Sequence, residues 1–151
     1  MIVVRQATRA DAARILEFQV LMAIETENIV LDKLIASKGI AALFDDPAKG
    51  LYYVAEVDGQ VAGCFLITYE WSDWRNGVVW WLQSVYVNVT HRKLGVFRKM
   101  YEHIVGLISA DPGVRGLRLY VDKSNDRAQG VYRSLGMNGD HYTVFEWMPE
   151  K

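Results

Sequence analysis

Asp58-Gly59 stands between two runs that favour extended backbone, LYYVAEV and QVAGCFLITYEW, and this feature limits what the chain can fold into more than any other. An Asp-Gly pair flanked by such runs is among the strongest local signals for a hairpin, because the tight turn that joins twisted strands needs positive φ at its centre. A lone hairpin is marginal in water, so these strands require further strands beside them and helices or another sheet over their faces. SDWRNG turns the chain again and VVWWLQSVYV supplies a third long strand. Consecutive strands joined by short turns run antiparallel.

The remaining elements can be placed around that sheet. Residues 2–5 form a short opening strand, and Thr8 three residues before Asp11 gives a capping-box-like start to a helix over residues 9–26. Ile15, Phe18, Leu21, Met22 and Glu25 recur at helical spacing there, and a second helical pattern runs from Asp32 through Leu34, Ile35, Ile40 and Leu43 until Pro47. From Leu94 the period changes from two to between three and four: Leu94, Phe97, Met100, Tyr101, Ile104, Leu107 and Ile108 share one helical face. Pro112-Gly113 ends that helix, and VRGLRLYV is a strand. A short helix covers residues 126–135 with Gly136 as its C-terminal glycine, and HYTVFEW is expected to close the sheet. The expected fold is α+β, a mixed, mainly antiparallel central sheet flanked by helices, in one domain over residues 1–151.

Composition narrows the function classes. A net charge of -1 gives no basic field for nucleic acid, and no apolar run approaches the roughly 20 residues that span a bilayer. The first residues lack the basic-then-apolar pattern of a leader, so a cytoplasmic protein without membrane or nucleic-acid partners is expected. Cys64 is the single cysteine; it cannot form an internal disulfide and reads as a small buried hydrophobe in VAGCFLI. No Cys/His cluster has metal-ligand spacing, and neither a complete P-loop nor a Ser-His-Asp or Cys-His pattern is present, so no metal is expected.

One segment carries chemistry of its own. SVYVNVTHRKLGVFRKMYEHI places a strand, a basic turn and a helix in succession, with Gly95 in the first helical turn. The first amides of a helix have no internal acceptor and lie at the positive end of its dipole, so such a start can bind a pyrophosphate. Gly95 lets phosphate approach the backbone, and Arg92 and Lys93 add mobile positive charge. The same residues also describe an ordinary solvated helix start. His91 beside this turn reads as a loop residue or phosphate donor before a base.

RKLGVF resembles the coenzyme A pyrophosphate signature of the GNAT N-acetyltransferases, in which Arg or Gln is followed after two residues by Gly and, after one more, by Gly or Ala. Arg92 and Gly95 match; Phe97 departs from it, and Lys93 sits where Gly is frequent. LRLYVDKSNDRAQGVYRSLGM is similar to the family's later segment, with Asn125, Ala128, Tyr132, Gly136 and Met137 in the corresponding places. The resemblance implies an acetyl-coenzyme A-dependent N-acetyltransferase acting on a small-molecule amine, expected to be a homodimer. It implies cofactor contacts at Arg92, Lys93, Leu94, Gly95, Val96, Phe97 and Asn125. It further implies backbone contacts from a splayed third strand at Val85, Tyr86 and Val87, and Tyr132 as the acid that protonates the departing thiolate. By residue type alone Tyr132 could instead be core packing.

The family often carries a carboxylate base upstream in that strand, but those positions here are Gln83 and Ser84. Glu70 is the best remaining carboxylate for the base, with a water chain as the alternative and a solvated hairpin glutamate as the plain reading. Glu25 and Glu27 near the end of the first helix, with Trp71 and Asp73 from the hairpin, are candidates for an acceptor site that takes a cationic amine. Core or interface roles for the tryptophans and solvation for the glutamates are the alternatives. A non-catalytic acyl-coenzyme A-binding module fits the missing carboxylates and remains the second functional expectation.

Overall fold

In a computed structural model, which describes residues 1–150, the chain forms two compact units, Met1–Arg118 and Leu119–Lys151. The first holds the sheet. Strands β1 (Ile2–Gln6), β2 (Leu51–Val57), β3 (Gln60–Ser72), β4 (Gly77–Val87) and β5 (Val114–Arg118) lie side by side in chain order. The first four are antiparallel to their neighbours, and β5 alone runs parallel to β4. Asp58 (φ 49°) and Gly59 (φ 82°) make the β2–β3 turn with the positive φ angles the dipeptide forecasts. The sheet is thus mixed and mainly antiparallel, and helices cover it.

Helices α1 (Ala12–Glu27) and α2 (Lys33–Asp45) lie over one face and α3 (Val96–Ala110) over the other. Alternation along the strands decides which residues each helix meets. Tyr52, Val54, Cys64 and Tyr86 join Ile15 and Phe18 of α1 and Ile40 and Leu43 of α2 in one buried cluster. On the opposite face Tyr53 stacks on Phe65 at 5.0 Å between ring centroids and meets His103 of α3. Val96, Met100 and Ile104, the inward stripe of α3, are buried. No helix is long and apolar enough to cross a membrane, among the described residues.

Several boundaries differ from the sequence reading, and each has a physical reason. Thr8 and Asp11 do form a reciprocal cap, but on a 3-10 turn, Arg9–Asp11, that precedes α1. Gly95 (φ 84°) is the N-cap of α3 rather than part of its first turn, since left-handed backbone cannot sit inside a right-handed helix. β5 stops at Arg118, before the expected end at Val121. The largest correction concerns HYTVFEW, which forms no strand: the sheet has five strands, and residues 141–147 belong to no helix or strand. Its β propensity is real, but a strand exists only where another strand supplies the ladder.

In the second unit α4 (Asp126–Ser134) is bounded at both ends as expected. Asn125 caps it, its Oδ1 accepting the Ala128 N–H at 3.1 Å. At the other end Gly136 (φ 90°) donates to the Arg133 carbonyl and Met137 to the Tyr132 carbonyl, the paired bonds of a Schellman cap.

Candidate active site

The site begins where the β4–β5 ladder ends, at the last residue of β5. β4 and β5 pair from Val78 with Val114 to Trp81 with Arg118, with a register shift after Val78, and no strand accompanies Leu82 to Val87 on that side, among the described residues. On its other side β4 stays paired with β3, but across Gln83 to Tyr86 the register shifts and Ser84 takes a φ of 52°. This bulge bends the strand and re-aims Val85, Tyr86 and Val87, the three positions expected to present backbone groups to a thioester. Gly63 of β3 makes the close approach possible, because a Cβ there would stand 2.8 Å from the Tyr86 carbonyl oxygen.

Beyond Val87 a 3-10 turn, Val89–His91, leads into the start of α3. Asn88 organises it: Oδ1 accepts the Thr90 N–H at 3.1 Å and the Thr90 hydroxyl at 2.8 Å. His91 Nδ1 lies 3.0 Å from the same hydroxyl. Lys93 (φ 66°) and Gly95 (φ 84°) both take left-handed backbone around Leu94, and Lys99 N–H is bonded to the Gly95 carbonyl at 3.1 Å. Alternating backbone of this kind is the geometry of a nest, whose amides, with the free first amides of a helix, can receive an anion. The positive φ also explains why glycine suits the Lys93 position: a side chain there costs about 1 kcal/mol or more in backbone strain. Phe97, where the resemblance favours a small residue, stacks against Tyr101 one turn on at 6.4 Å.

Arg92 is held in a way its neighbours in sequence do not foretell. Its Nε donates to the Val87 carbonyl at 2.9 Å and its Nη2 to Glu25 Oε1 at 2.7 Å, while the guanidinium lies 5.3 Å from the Tyr86 ring centre. The Tyr86 hydroxyl donates to the other Glu25 oxygen. Glu25 therefore clamps β4 and the turn at Arg92 to the end of α1. Burial would raise the Glu25 pKa, but the hydrogen bonds from Tyr86 and Arg92 outweigh it and hold the carboxyl below its usual range. The Tyr86 phenol is pushed up to about 12 by burial and by its bond to Glu25. Sequence reasoning assigned these three residues to separate tasks; nothing in sequence links a helix end to a turn 67 positions away.

The carboxylates expected to gather around an acceptor do not converge. Glu70 Oε2 accepts from Arg118 Nη1 at 2.5 Å and Oε1 from Trp81 Nε1 at 3.2 Å, so both its oxygens are engaged on β3, β4 and β5. It lies six steps along the strand from Cys64, the partner of Tyr86, which puts the Glu70 and Glu25 anchor points about 20 Å apart at roughly 3.3 Å per residue. Trp71 follows Glu70 on an unbroken strand and projects from the opposite face, exposed. Asp73 sits in the turn after β3 and accepts the Trp74 N–H at 2.9 Å. Glu27, the last residue of α1, is exposed. Between the two acidic ends of this sheet face lies a pair that residue type did not single out for binding: Gln83 Nε2 donates to Thr68 Oγ1 at 2.5 Å.

In the second unit, Tyr132 lies two turns along α4 from Asn125, so both project from one side of the helix. Burial raises the Tyr132 pKa, which keeps its phenol fully protonated at neutral pH.

The profile of the Acetyltransferase (GNAT) family matches residues 17–137. A possible acetyltransferase from Clostridium difficile 630 is 38% identical over 100% of this chain and 99% of its own, with a TM-score of 0.93. A predicted acetyltransferase from Clostridium acetobutylicum, solved with acetyl-CoA, is 16% identical over 97% and 96% of the two chains, with a TM-score of 0.75. An aminoglycoside acetyltransferase from an uncultured soil metagenomic sample, in complex with trehalose, is 16% identical over 99% and 97%, with a TM-score of 0.76. The last two likenesses concern the fold alone. No curated protein matches the sequence.

Proposed function

The chain belongs to the GNAT acetyltransferase family, and from that premise we propose that it moves an acetyl group from acetyl-coenzyme A to a primary amine of a small molecule by direct attack. The observation that carries this reading is the end of the β4–β5 ladder at Trp81, beyond which β4 runs on to Val87 and the turn with left-handed Lys93 and Gly95. A strand edge without a ladder can bond the amides of a pantetheine arm and the thioester carbonyl. The nest and the start of α3 suit the pyrophosphate. Lys93 supplies charge there, whereas Arg92, bound to Glu25 and Val87, shapes the turn.

The proposed reaction balances without an enzyme-bound intermediate. The neutral amine nitrogen attacks the thioester carbon, the carbon–sulfur bond breaks, and the departing thiolate takes the phenolic proton of Tyr132. A thiolate with a reference pKa near 8.5 accepts that proton once positioned within hydrogen-bond reach. The amine's proton leaves through water, which returns one proton to the Tyr132 phenolate and so closes the cycle, because Gln83 and Ser84 offer no base and Glu70 is bound to Arg118 and Trp81. The same observation favours the second reading, a module that binds acyl-coenzyme A without turnover.

Two measurements separate these readings. Acetyl-coenzyme A at a hundred times its Kd should stabilise the fold by about 2.7 kcal/mol, which raises Tm by roughly 5 to 10 °C in a chain of this size. No shift at millimolar ligand would remove both. Thiol release in the presence of amines, amino acids, polyamines or aminoglycosides should occur and should fall about a hundredfold in kcat in Tyr132→Phe with cofactor affinity intact. Binding without turnover against every amine would leave the binding module.

A further inference from the structure

Gln83 stands on β4 directly before the bulge at Ser84, and its partner across the ladder is Leu66, which packs against the cluster beneath α1 and α2. Cross-strand partners share a face, so the Gln83 side chain lies on that side of the sheet, half-buried. Two steps along the strand, about 7 Å, separate it from Val85, beside which the thioester is proposed to bind. Its Nε2 donates to Thr68 Oγ1 at 2.5 Å. That bond fixes the amide and leaves Oε1 at its other end as an acceptor, which receives no hydrogen bond among the described residues.

An amide oxygen accepts a hydrogen bond but does not take the proton. The carboxylates of α1 and the sheet on this side are engaged with arginines: Glu25 with Arg92, Glu70 with Arg118, and Asp11 and Glu56 with Arg5. Arg14, which lies over Phe18, is paired with Glu17, and Glu27 is exposed at the end of α1. From α2, Asp32 caps its own helix and Asp45 binds Arg9.

We infer, given the acetyl transfer proposed above, that Gln83 Oε1 receives an N–H of the attacking amine and that the acceptor is a weakly basic amine, largely neutral near pH 7, rather than an alkylamine or polyamine. The hydrogen bond orients the nitrogen, whose lone pair forms the bond to the thioester carbon as the carbon–sulfur bond breaks. The thiolate takes its proton as described, and the nitrogen gives its own to water. Basicity then decides which amines react. At pH 7 roughly one in ten molecules with the pKa of a peptide α-amine, about 8, is neutral, against roughly one in 2,500 with the lysine value of about 10.4. A carboxylate base offsets that difference by drawing in the ammonium form and taking its proton; an amide does not. The greater nucleophilicity of the stronger base returns only part of the loss, because it grows with basicity more slowly than the neutral fraction falls.

The test uses the full chain with acetyl-coenzyme A and two amines of similar size, glycinamide as the weak base and propylamine as the strong one. At pH 7 kcat/KM should favour glycinamide about tenfold or more, and between pH 7 and 9 propylamine should gain about tenfold per unit while glycinamide levels off. Gln83→Glu, a carboxylate of the same shape, should raise the propylamine rate at pH 7 about tenfold and erase the preference. Gln83→Leu should lower kcat/KM for glycinamide about tenfold with the KM for acetyl-coenzyme A unchanged. A preference for propylamine at pH 7 in the native protein, or an unchanged preference in Gln83→Glu, overturns the inference. Calorimetry of both amines with the coenzyme A complex, in two buffers of different ionisation enthalpy, reads the same selectivity without turnover: the neutral form binds, so a proton should be released with each propylamine bound. Binding without proton release, or no amine binding, overturns the inference even if the enzyme turns over. Proton-releasing binding with no turnover would instead strike the acetyl transfer and leave the amine selectivity standing.

Discussion

Glu25 reads from the sequence as an acceptor-site candidate or else a solvated helix-end charge, yet its two oxygens hold a phenol on β4 and a guanidinium in the turn before α3. The pair is about one-third exposed on each side, so its worth is modest, about 1 kcal/mol. What it stabilises is a geometry: Arg92 can reach the Val87 carbonyl and Glu25 together only if the turn stays where it is. Glu25→Gln should therefore weaken coenzyme A binding about fivefold, the equivalent of that 1 kcal/mol, while the protein stays folded. Calorimetric titration checks it; an unchanged Kd would mean that Val87 alone fixes Arg92. That Arg92 lies in a turn between a strand and a helix was legible because that pattern is local. Its partner was not, since residue type cannot report a contact made by the fold.

At the scale of elements, the two glycines Gly63 and Gly106 make a controlled comparison. A Cβ at Gly63 would collide with the Tyr86 carbonyl, whereas one at Gly106 on α3 meets nothing within 4 Å. Gly63→Ala should push β4 outward at its bulge, cost about 1 to 3 kcal/mol, and raise the KM for acetyl-coenzyme A. Gly106→Ala should stabilise the helix by about 0.5 to 1 kcal/mol and leave KM alone. Chemical denaturation with steady-state kinetics on both variants tests the contrast; equal effects would show that the close approach of β3 to β4 has no role in binding.

Which elements the sequence disclosed follows the same division. The hairpin at Asp58-Gly59 and the apolar stripe of α3 depend on neighbours in sequence; the hairpin stands where expected and so does the stripe from Phe97 on, whereas Leu94 lies before the helix and is exposed. The bulge at Ser84 depends on how β4 meets β3, and no residue pattern marked it. HYTVFEW misled for a related reason: period and composition show that a segment can be a strand, but the partner that makes it one is never local.

For the whole molecule, Asp11 is the buried carboxylate expected to contribute to the loss of stability in acid. Asp11 accepts Arg5 Nη1 at 2.8 Å and Nη2 at 3.0 Å and takes the Thr8 N–H at 2.8 Å, which joins β1 to the start of α1. The Arg5 hydrogen bonds hold the Asp11 pKa below 3.8, against the opposing effect of burial. A carboxylate whose folded pKa is depressed contributes its stability above the unfolded value and loses it as pH falls through the folded one. Stability should thus be level above about pH 5 and fall steeply below about pH 4. Asp11→Asn should lower neutral stability by about 2 kcal/mol and flatten that acid limb, as read from urea midpoints across pH. A variant that keeps the full acid dependence would place its origin in the exposed carboxylates instead.

The lone thiol beneath the β4 bulge has a practical side. Cys64 is fully buried, its Sγ lies 3.8 Å from the Ser84 carbonyl, and burial pushes its pKa up to about 12. At neutral pH it holds almost no thiolate, the form that reacts with maleimides, disulfides or an activated acyl group. The native protein is therefore a blank background for thiol chemistry. A single cysteine placed on its surface becomes the one position that a fluorophore or spin label can find.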